Sequence, residues 1–298
     1  AEQSYIRAKV IEGNQEKLIE LEINNSRANR AKINHNPLRS QREITGIVRA
    51  ICFSPEDLDL VRGDPSERRK FLDQLIIQHS PRMGAVISDY ERALKQRNSL
   101  LKTRAPQASI EPWDHHLAHF GGELLAARVG IVAALQPHFA SSYNSISEKK
   151  PASLVYKSSI ESATDVKSEN EKAILERIKE ISYQERERGI SLVGPHRDDL
   201  LLHLGNQPVK GYASHGESWS IALSLRLGSY ELLKKQDTQP ILILDDVFSE
   251  LDEKRRERLS EVARSAEQTF ITVAVGNDLP PEIEGARFLV HSGTVRSL

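Results

Sequence analysis

The run ILILDDVFSELD, residues 241–252, decides the fold class of this chain. Four apolar residues are followed directly by two carboxylates, Asp245 and Asp246. Such a run is typical of a parallel strand buried on both faces, and open α/β sheets bind their ligands beyond the carboxyl ends of such strands. Two adjacent carboxylates are costly to bury unless a cation compensates them, and Mg²⁺ on a nucleotide is the usual cation. The alternative is a strand followed by a polar cap and a helix that starts near Asp252.

A second segment precedes this strand and begins a long helix. Ser214 and Gly216 stand at its start, where a hydroxyl and free backbone N–H groups can bind an anion. Serine is also a common helix N-cap, so this segment alone is weak evidence. Its position before the acidic strand and before residues 249–252 gives the order of the signature motif, the Walker B motif and the D-loop of an ABC-type ATPase head.

Length and composition restrict the classes of protein to consider. The chain has 298 residues, of which 39% are hydrophobic and 28% charged, and this fits a water-soluble globular protein of roughly two domains. We see no uncharged apolar run of the ~20 residues that a membrane span needs and no secretory signal. We therefore expect a cytoplasmic protein without a membrane partner. The single cysteine, Cys52, excludes an internal disulfide.

Basic residues are concentrated in two stretches, although the net charge of the chain is only −1. Such stretches can follow a phosphate backbone, but a run of charge is also typical of a solvated face. The first stretch, residues 27–49, has one acid, Glu43, and leads us to predict DNA contacts for Arg27, Arg30, Lys32, Arg39 and Arg42. The second stretch, residues 91–104, holds Arg92, Lys95, Arg97, Lys102 and Arg104.

The sequence lacks the phosphate-binding half of a nucleotide site. The glycine-rich loop G-x-x-x-x-G-K-[ST] does not occur in the 298 residues. The chain begins with Ala1, and its single methionine is Met83. We therefore expect that the beginning of the protein is missing or cleaved, and that this fragment by itself has little or no activity toward ATP.

Hydrophobic periodicity predicts how the remaining segments are arranged. Alternating apolar residues near the start predict antiparallel strands, with a turn at residues 35–37. A heptad-like stripe from Met83 to Leu101 predicts a long helix. A second helix, from Trp113 to about Leu135, should follow a loop through Pro106 and Pro112 and fold back on the first as an arm.

Further along the chain, a charged helix from about Lys167 to Arg188, stopped by Gly189, is predicted to return the chain to the head. The predicted fold is α/β: an ABC-type (P-loop NTPase) ATPase head with an inserted antiparallel helical arm. The predicted domains are residues 1–62 (N-terminal head strands), 63–150 (arm) and 151–298 (C-terminal part of the head).

Several motifs extend over almost the whole chain in a recognisable order. They are FSPEDL (53–58), VRG (61–63), ERRKFLD (67–73), YERALKQRN (90–98), WD (113–114) and GPHRDD (194–199), with the signature and Walker B runs. Together they resemble the RecF family of SMC-like bacterial DNA repair ATPases. The resemblance implies an ATP-dependent dimer that recognises gapped or junction DNA and, with RecR and RecO, promotes RecA loading.

The resemblance also implies roles for individual residues. Asp245 would hold Mg²⁺, and Asp246 would orient or deprotonate the attacking water. Ser214 and Gly216 would touch the γ-phosphate of ATP held by the other protomer, so that ATP joins two heads. This arrangement suits phosphoryl transfer, in which positioning and charge stabilisation supply most of the catalysis.

The remaining residues of the predicted nucleotide site are His215, Glu217 and Asp252. His215 and Glu217 replace the Gly and Gln that are usual in ABC ATPases, which leaves the rate of hydrolysis open. Residues 195–197 have two interpretations: a tight turn with an ion pair to Asp198 or Asp199, or a loop next to nucleotide or DNA.

Two other classes of protein share parts of this pattern. A structural SMC-like or nuclease-associated ATPase head should have a far longer coiled coil or an added nuclease domain, whereas about 20 residues per helix gives an arm about 30 Å long. A non-catalytic DNA-binding or adaptor protein without a phosphate loop is the other alternative. The coding sequence upstream of Ala1 distinguishes it from an ATPase.

Overall fold

The computed structural model describes residues 3–12, 15–38, 42–45, 47–147, 150–234 and 240–298. The strands in these ranges are β1 (Gln3–Glu12), β2 (Gln15–Asn24), β3 (Arg30–Ile33), β4 (Asn36–Pro37), β5 (Ala50–Phe53), β6 (Ala152–Lys157), β7 (Asp199–Leu204), β8 (Gln207–Pro208), β9 (Ile241–Asp245), β10 (Thr269–Thr272), β11 (Phe288–His291) and β12 (Thr294–Ser297). The helices are α1 (Arg42–Thr45), α2 (Leu58–Arg62), α3 (Pro65–His79), α4 (Met83–Lys102), α5 (Gln107–Ile146), α6 (Lys167–Arg188), α7 (His215–Lys234) and α8 (Glu253–Ser265).

The strands form four sheets. β1 to β4 make an antiparallel sheet in chain order, β6, β7 and β8 make a second, and β11 pairs with β12. Strand β9, which ends at Asp245 and is followed directly by Asp246, lies between β10 and β5 in a parallel sheet. The mixture of parallel sheet, antiparallel sheets and long helices confirms the predicted α/β fold class.

Strand β9 is less enclosed than its sequence suggests. Its burial alternates: Leu242 and Leu244 are buried, Ile241 and Ile243 are half-buried, and Asp245 is exposed. The expectation of a strand buried on both faces is therefore wrong for this chain. Alternation of this kind shows a sheet with one face packed on the core and the other face only partly covered.

The antiparallel strands predicted near the start of the chain are present as β1, β2 and β3. Register pairs such as Ile6 with Leu21 place apolar residues on one face of this sheet, where Ile19 and Ala31 are buried. The turn after β3 is formed by Asn34 and His35, slightly earlier than predicted. Both residues have a positive φ, a conformation that asparagine and histidine adopt more readily than most side chains.

The arm helices α4 and α5 are both present, but α5 is much longer than predicted. It runs for 40 residues, and Pro112, which was predicted to lie in a loop, lies inside it, as does Pro137. A proline inside a helix removes one backbone hydrogen bond and costs stability. The helix continues because its apolar side chains, among them Leu117, Leu124 and Leu135, are almost completely buried between neighbouring helices.

Helix α6 packs beside α5, so three long helices form the arm side of the molecule. Side chains such as Ile174, Ile178 and Ile181 from α6 join the apolar cluster of α4 and α5. The helices approach closely at Gly122, where a Cβ atom would lie 2.8 Å from the backbone nitrogen of Glu171. α6 has the predicted limits, Lys167–Arg188. It packs on the arm helices although it lies after residue 150, where the arm was predicted to end. The domain boundary at residue 150 stays a prediction.

Among the described residues, α5 is the single helix that is long and apolar enough to cross a membrane by length and composition. Half of its apolar window is buried inside the structure. The core helix of a water-soluble protein has the same properties.

A buried arginine ties the three arm helices together. Arg97 of α4 donates hydrogen bonds to Asp114 of α5 (2.6 Å), Glu185 of α6 (2.7 Å) and the Ser191 hydroxyl (2.8 Å). Arg97 and Glu185 are 1% and 0% exposed. A buried ion pair is costly to break because the charge that remains has neither water nor a partner.

We expect Arg97→Met to lower the free energy of unfolding by about 3–5 kcal/mol, since it strands Glu185 and Asp114 while keeping much of the side-chain volume. Urea unfolding followed by circular dichroism measures this. Arg92→Met is the matched control on the same helix: its exposed pair with Asp89 should contribute less than about 1 kcal/mol. Equal effects of the two substitutions would contradict the role assigned to Arg97.

Candidate nucleotide site

The two carboxylates predicted from the sequence lie at the carboxyl edge of the parallel sheet. Asp245 is exposed and accepts a hydrogen bond from the Thr272 hydroxyl of β10. Asp246 follows in a left-handed conformation (φ 52°), which is uncommon outside glycine. Its backbone N–H donates to the Thr272 hydroxyl (3.1 Å) and carbonyl (3.2 Å), so β10 holds the turn that directs this carboxylate.

A third acid lies at this edge and was missed in the sequence analysis. Strand β5 runs parallel to β9 with Phe53 opposite Leu244, so the loop after β5 emerges beside Asp245. This loop contains Glu56, whose pKa is lowered by a hydrogen bond from the Ser54 side chain. A signal was present in the sequence, because Glu56 comes shortly after the short apolar strand β5, while Asp245 ends the apolar strand β9.

The predicted anion site at the start of α7 is a capping box. The Ser214 hydroxyl accepts a hydrogen bond from the Glu217 N–H (3.2 Å), and the Glu217 carboxylate accepts one from the Ser214 N–H (2.8 Å). Among the described residues, the N–H groups of His215 and Gly216 have no acceptor. These two N–H groups, with the serine hydroxyl, are available to an anion.

His215 is held between two hydrogen-bond donors. The indole N–H of Trp219 lies 3.0 Å from one ring nitrogen, and the guanidinium of Arg62 lies 3.2 Å from the other. A neutral imidazole has one acceptor nitrogen, so only one of these donors bonds to it at a time. The exposed Arg62 side chain also donates to the Ser218 hydroxyl (3.3 Å), so it lies against the start of α7.

Asp252 lies at the beginning of α8. Its carboxylate caps the helix by accepting a bond from the Arg255 N–H (3.1 Å), and it also accepts one from the Arg255 guanidinium. The same guanidinium donates to the Gly216 carbonyl (2.9 Å). The structure thus brings together Asp252 and Gly216, two of the residues predicted to bind nucleotide.

The acids that the structure describes at the sheet edge are too few to form a metal site by themselves, but they can complete the coordination of a Mg²⁺ ion that is already bound to a nucleotide. In the described part of the chain, no group of three or more His, Cys, Asp or Glu side chains could hold a metal. Protein-bound Mg²⁺ usually has one or two carboxylate ligands, with phosphate oxygens and water completing its shell. An exposed Asp245 at a strand end meets that requirement.

The loop 194–199 lies at the junction of arm and head. The Pro195 carbonyl accepts a bond from Arg128 of α5 (2.6 Å), and the Asp199 carboxylate accepts two from Arg68 of α3 (2.7 and 3.0 Å). Asp198 accepts bonds from the Tyr156 hydroxyl and the Ser159 N–H, both 2.7 Å long. These contacts favour the structural interpretation of residues 195–197. The predicted ion pair within the loop is wrong, because Asp199 pairs with Arg68 and the Arg197 guanidinium donates to the Ser191 carbonyl.

His196 lies inside this junction as a neutral ring. One ring nitrogen faces the Ser191 carbonyl at 3.1 Å and must donate, so the other accepts the bond from the Tyr90 hydroxyl at 2.7 Å. The pKa of His196 is lowered to about 4, mainly by burial and also by the nearby arginines, against the opposing effect of the Ser191 carbonyl. Gly194 (φ 123°) is required here, since a Cβ atom would lie 2.6 Å from the Tyr90 oxygen.

We expect the His196 pKa to make the fold less stable in acid. Because this pKa is about 4 in the folded protein and about 6.5 in the unfolded chain, the unfolded chain takes up the proton first as the pH falls. The stability from neutral His196 is complete above pH 6.5 and is lost toward pH 4, with a loss of about 2 kcal/mol between pH 7 and pH 5. Urea unfolding at several pH values measures it.

His196→Asn should remove this part of the pH dependence, whatever it does to stability at pH 7. His116→Asn, at an exposed position on α5, is the control and should keep the wild-type pH dependence. An unchanged pH dependence in His196→Asn would show that the histidine is not buried as a neutral ring.

The predicted DNA-binding residues lie on and beside the antiparallel sheet, where they alternate with acids. Arg30 and Lys32 of β3 stand opposite Glu22 and Glu20 of β2, and Arg27 approaches Glu22 at 3.5 Å. Arg39 and the side chain of Arg42 are outside the described residues. This sheet is therefore less basic than the sequence stretch, because strand pairing brings in the two glutamates.

The basic residues of the second stretch, residues 91–104, do not all lie on the surface. Arg97 is buried in the ion-pair network of the arm, and Arg92 pairs with Asp89 at 2.9 Å. Lys95, Lys102 and Arg104 remain on the surface. Counting Arg97 as part of a basic surface was wrong, since a helix presents only some of its positions to solvent.

Comparison with known proteins agrees with this architecture. A parallel sheet with acids at its carboxyl edge, together with a capped helix start and an arm of long helices, is the architecture of an ABC-type ATPase head. A solved Smc head bound to the C-winged helix domain of ScpA superimposes with a TM-score of 0.52 at 12% identity, over 100% of this chain and 74% of that one. At that identity the likeness shows the fold alone.

The relatives in sequence are more specific. Proteins named DNA replication and repair protein RecF from Streptomyces avermitilis and Beutenbergia cavernae are 48% and 46% identical, each over 99% of this chain and 82% and 83% of their own length. A solved structure of the recombination mediator protein RecF with ATP in the RecFOR pathway has a TM-score of 0.89 at 26% identity, over 100% of this chain and 80% of that one. The chain belongs to the RecF family. No protein-family model matches it.

Proposed function

We propose that this protein is an ATP-dependent DNA-binding protein of recombinational repair, in which ATP joins two heads and is then slowly hydrolysed. The observation that carries the proposal is the exposed Asp245 beside Asp246 at the end of β9, in a chain that also presents free N–H groups at the start of α7. Its support is the 48% identity to a RecF protein and the likeness to RecF solved with ATP.

The proposed roles follow from what each side chain can do. Asp245 is exposed and can serve as a ligand of Mg²⁺. Asp246 is half-buried, and the hydrogen bond from its backbone to Thr272 of β10 fixes its position, as needed to orient or deprotonate a water molecule. The nucleotide supplies the phosphoryl group that water attacks. The Ser214 hydroxyl and the N–H groups of His215 and Gly216 stabilise negative charge on the phosphate of the partner head's nucleotide.

Glu217 and Asp252 support this surface from within the head. Glu217 closes the capping box that fixes Ser214, and Asp252 starts α8 beside the first turn of α7. Glu217 also places a negative charge near the bound phosphate, which opposes tight binding. We therefore expect this charge to weaken ATP-dependent dimerisation and to slow hydrolysis.

The proposed biological partners are DNA with gaps or single-strand/double-strand junctions, RecR and RecO, with promotion of RecA loading as the outcome. The support is the RecFOR context of the solved relatives. A cytoplasmic location and the three-part division at residues 62 and 150 belong to the same proposal.

Asp246→Asn in the full-length protein should keep ATP binding and dimerisation but slow turnover at least tenfold. The amide keeps the shape of the carboxylate and loses its ability to accept a proton, an effect of at least ~1.4 kcal/mol on the barrier. Single-turnover and steady-state phosphate release measure it. Glu257→Gln, an exposed acid on α8, is the charge-matched control.

Unchanged turnover in Asp246→Asn would remove this residue from the mechanism. Absence of ATP binding and hydrolysis in the wild-type full-length protein would instead favour the alternative of a non-catalytic DNA-binding or adaptor protein.

Arg27, Arg30 and Lys32, with Arg39 and Arg42, are proposed to contact DNA phosphates. Arg30→Gln combined with Lys32→Gln should weaken DNA binding and make the slope of log affinity against log salt shallower by up to about two units, one for each lost phosphate contact. Fluorescence anisotropy at several salt concentrations measures this slope. ATP binding should not change.

Lys172→Gln combined with Arg177→Gln removes two exposed cations from α6 and serves as the control. If the salt slope is the same in the sheet variant and in wild type, this sheet is a solvated surface, and Lys95 and Lys102 on the arm become the next candidates.

A further inference from the structure

We propose that Arg255 is a positioning residue that locks the start of α7 to the loop after β9, and so couples the acids that act on a head's own nucleotide to the surface that the head offers to its partner. This inference rests on the proposed ATP-dependent dimer. Arg255 lies on α8. Among the residues proposed to bind nucleotide or Mg²⁺, it contacts Gly216 and Asp252.

One guanidinium makes three connections. Its Nε donates to the Ser220 hydroxyl (2.8 Å) and one Nη donates to the Gly216 carbonyl (2.9 Å), both on the first turns of α7. The other Nη donates to the Asp252 carboxylate. Arginine can hold three acceptors in fixed directions because its donors form a rigid planar fork.

The contact is close enough to control the position of the helix start. A Cβ atom on Gly216 would lie 3.3 Å from the Arg255 guanidinium, so the side chain rests directly against the first turn of α7. Asp252 is also the N-cap of α8 and ends the segment that begins at Asp246. A displacement of that segment is therefore transmitted through Arg255 to the Gly216 carbonyl.

Arg255 is not required to satisfy buried polar groups. Without it, the Ser220 hydroxyl still donates to the Gly216 carbonyl at 3.1 Å. The Asp252 side chain is 58% exposed and keeps its bond to the backbone of α8. Loss of a bond is costly mainly when a buried partner is left unpaired, and no such partner remains here. Variants at Arg255 should therefore fold.

In the proposed dimer, the start of α7 faces the partner's nucleotide, and Asp245 and Asp246 face the nucleotide of their own head. Without Arg255 the start of α7 loses its direct connection to the segment that follows these acids. Binding of nucleotide to a single head does not use this connection, whereas dimerisation and turnover do. We therefore expect variants at Arg255 to lose dimerisation and turnover while nucleotide binding by the single head is kept. A general loss of structure would impair all three.

The test compares Arg255→Ala with Arg258→Ala in the full-length protein. Arg258 lies on the same helix and pairs with exposed Glu261 at 2.8 Å, so it controls for loss of a cation from α8. Arg255→Ala should weaken ATP-dependent dimerisation at least tenfold in sedimentation velocity and lower kcat by a similar factor. Nucleotide affinity of the single head should stay within twofold of wild type. Arg258→Ala should behave as wild type.

Arg255→Lys should give an intermediate result, because an ammonium group can reach one of the three acceptors but not all of them. Hydrogen exchange provides a readout without nucleotide: amides of residues 217–220 should exchange faster in Arg255→Ala than in Arg258→Ala. Wild-type exchange in Arg255→Ala would overturn the inference, and so would faster exchange with unchanged dimerisation.

Failure of the proposed function gives a different result. If the wild-type protein does not dimerise with ATP, or if Ser214→Arg does not block dimerisation, the role assigned to the start of α7 is wrong. If wild type dimerises and Ser214→Arg does not, while Arg255→Ala dimerises like wild type, the error lies in the role of Arg255 alone.

Discussion

The Arg128 guanidinium, which bonds to both carboxylate oxygens of Asp73 and to the Pro195 carbonyl, fixes the long helix of the arm to the head. It is 3% exposed, so water cannot replace any of these acceptors. Burial alone would lower the pKa of the guanidinium, but the Asp73 carboxylate outweighs it and raises the pKa. The loop 194–199 is built around this bond, and its hydrogen bonds to α3, α4 and β6 leave it one well-defined position.

Arginines also determine the orientation of α7. Arg226, on α7 itself, bonds twice to Asp57 in the loop after β5, while Arg62 and Arg255 reach its first turns from α2 and α8. Each contact comes from a different segment around the sheet edge. A helix start that has to recognise an anion needs this kind of support, because small displacements change the direction of its N–H groups.

Local signals in the sequence predicted single elements well. Gly189 stops α6 in the predicted place because it adopts the left-handed conformation (φ 67°) that glycine tolerates. Ser214 and Glu217 form a capping box because the two residues are three positions apart. Pro112 misled the prediction of α5, since burial of a long apolar face outweighed the cost of one missing hydrogen bond. Arg97 misled the charge count, since its partners lie 17 and 88 residues away.

The sequence by itself determined the strand that ends in Asp245 and Asp246, the helix that starts after Ser214, and the order of motifs that identifies the family. These depend on neighbouring residues and on residue type. Only the tertiary structure decided that Glu56 lies at the same edge as Asp245, that Glu20 and Glu22 offset the basic sheet, and that Arg255 joins Gly216 to Asp252. Those facts depend on strand pairing and helix packing between distant segments, which local patterns do not specify.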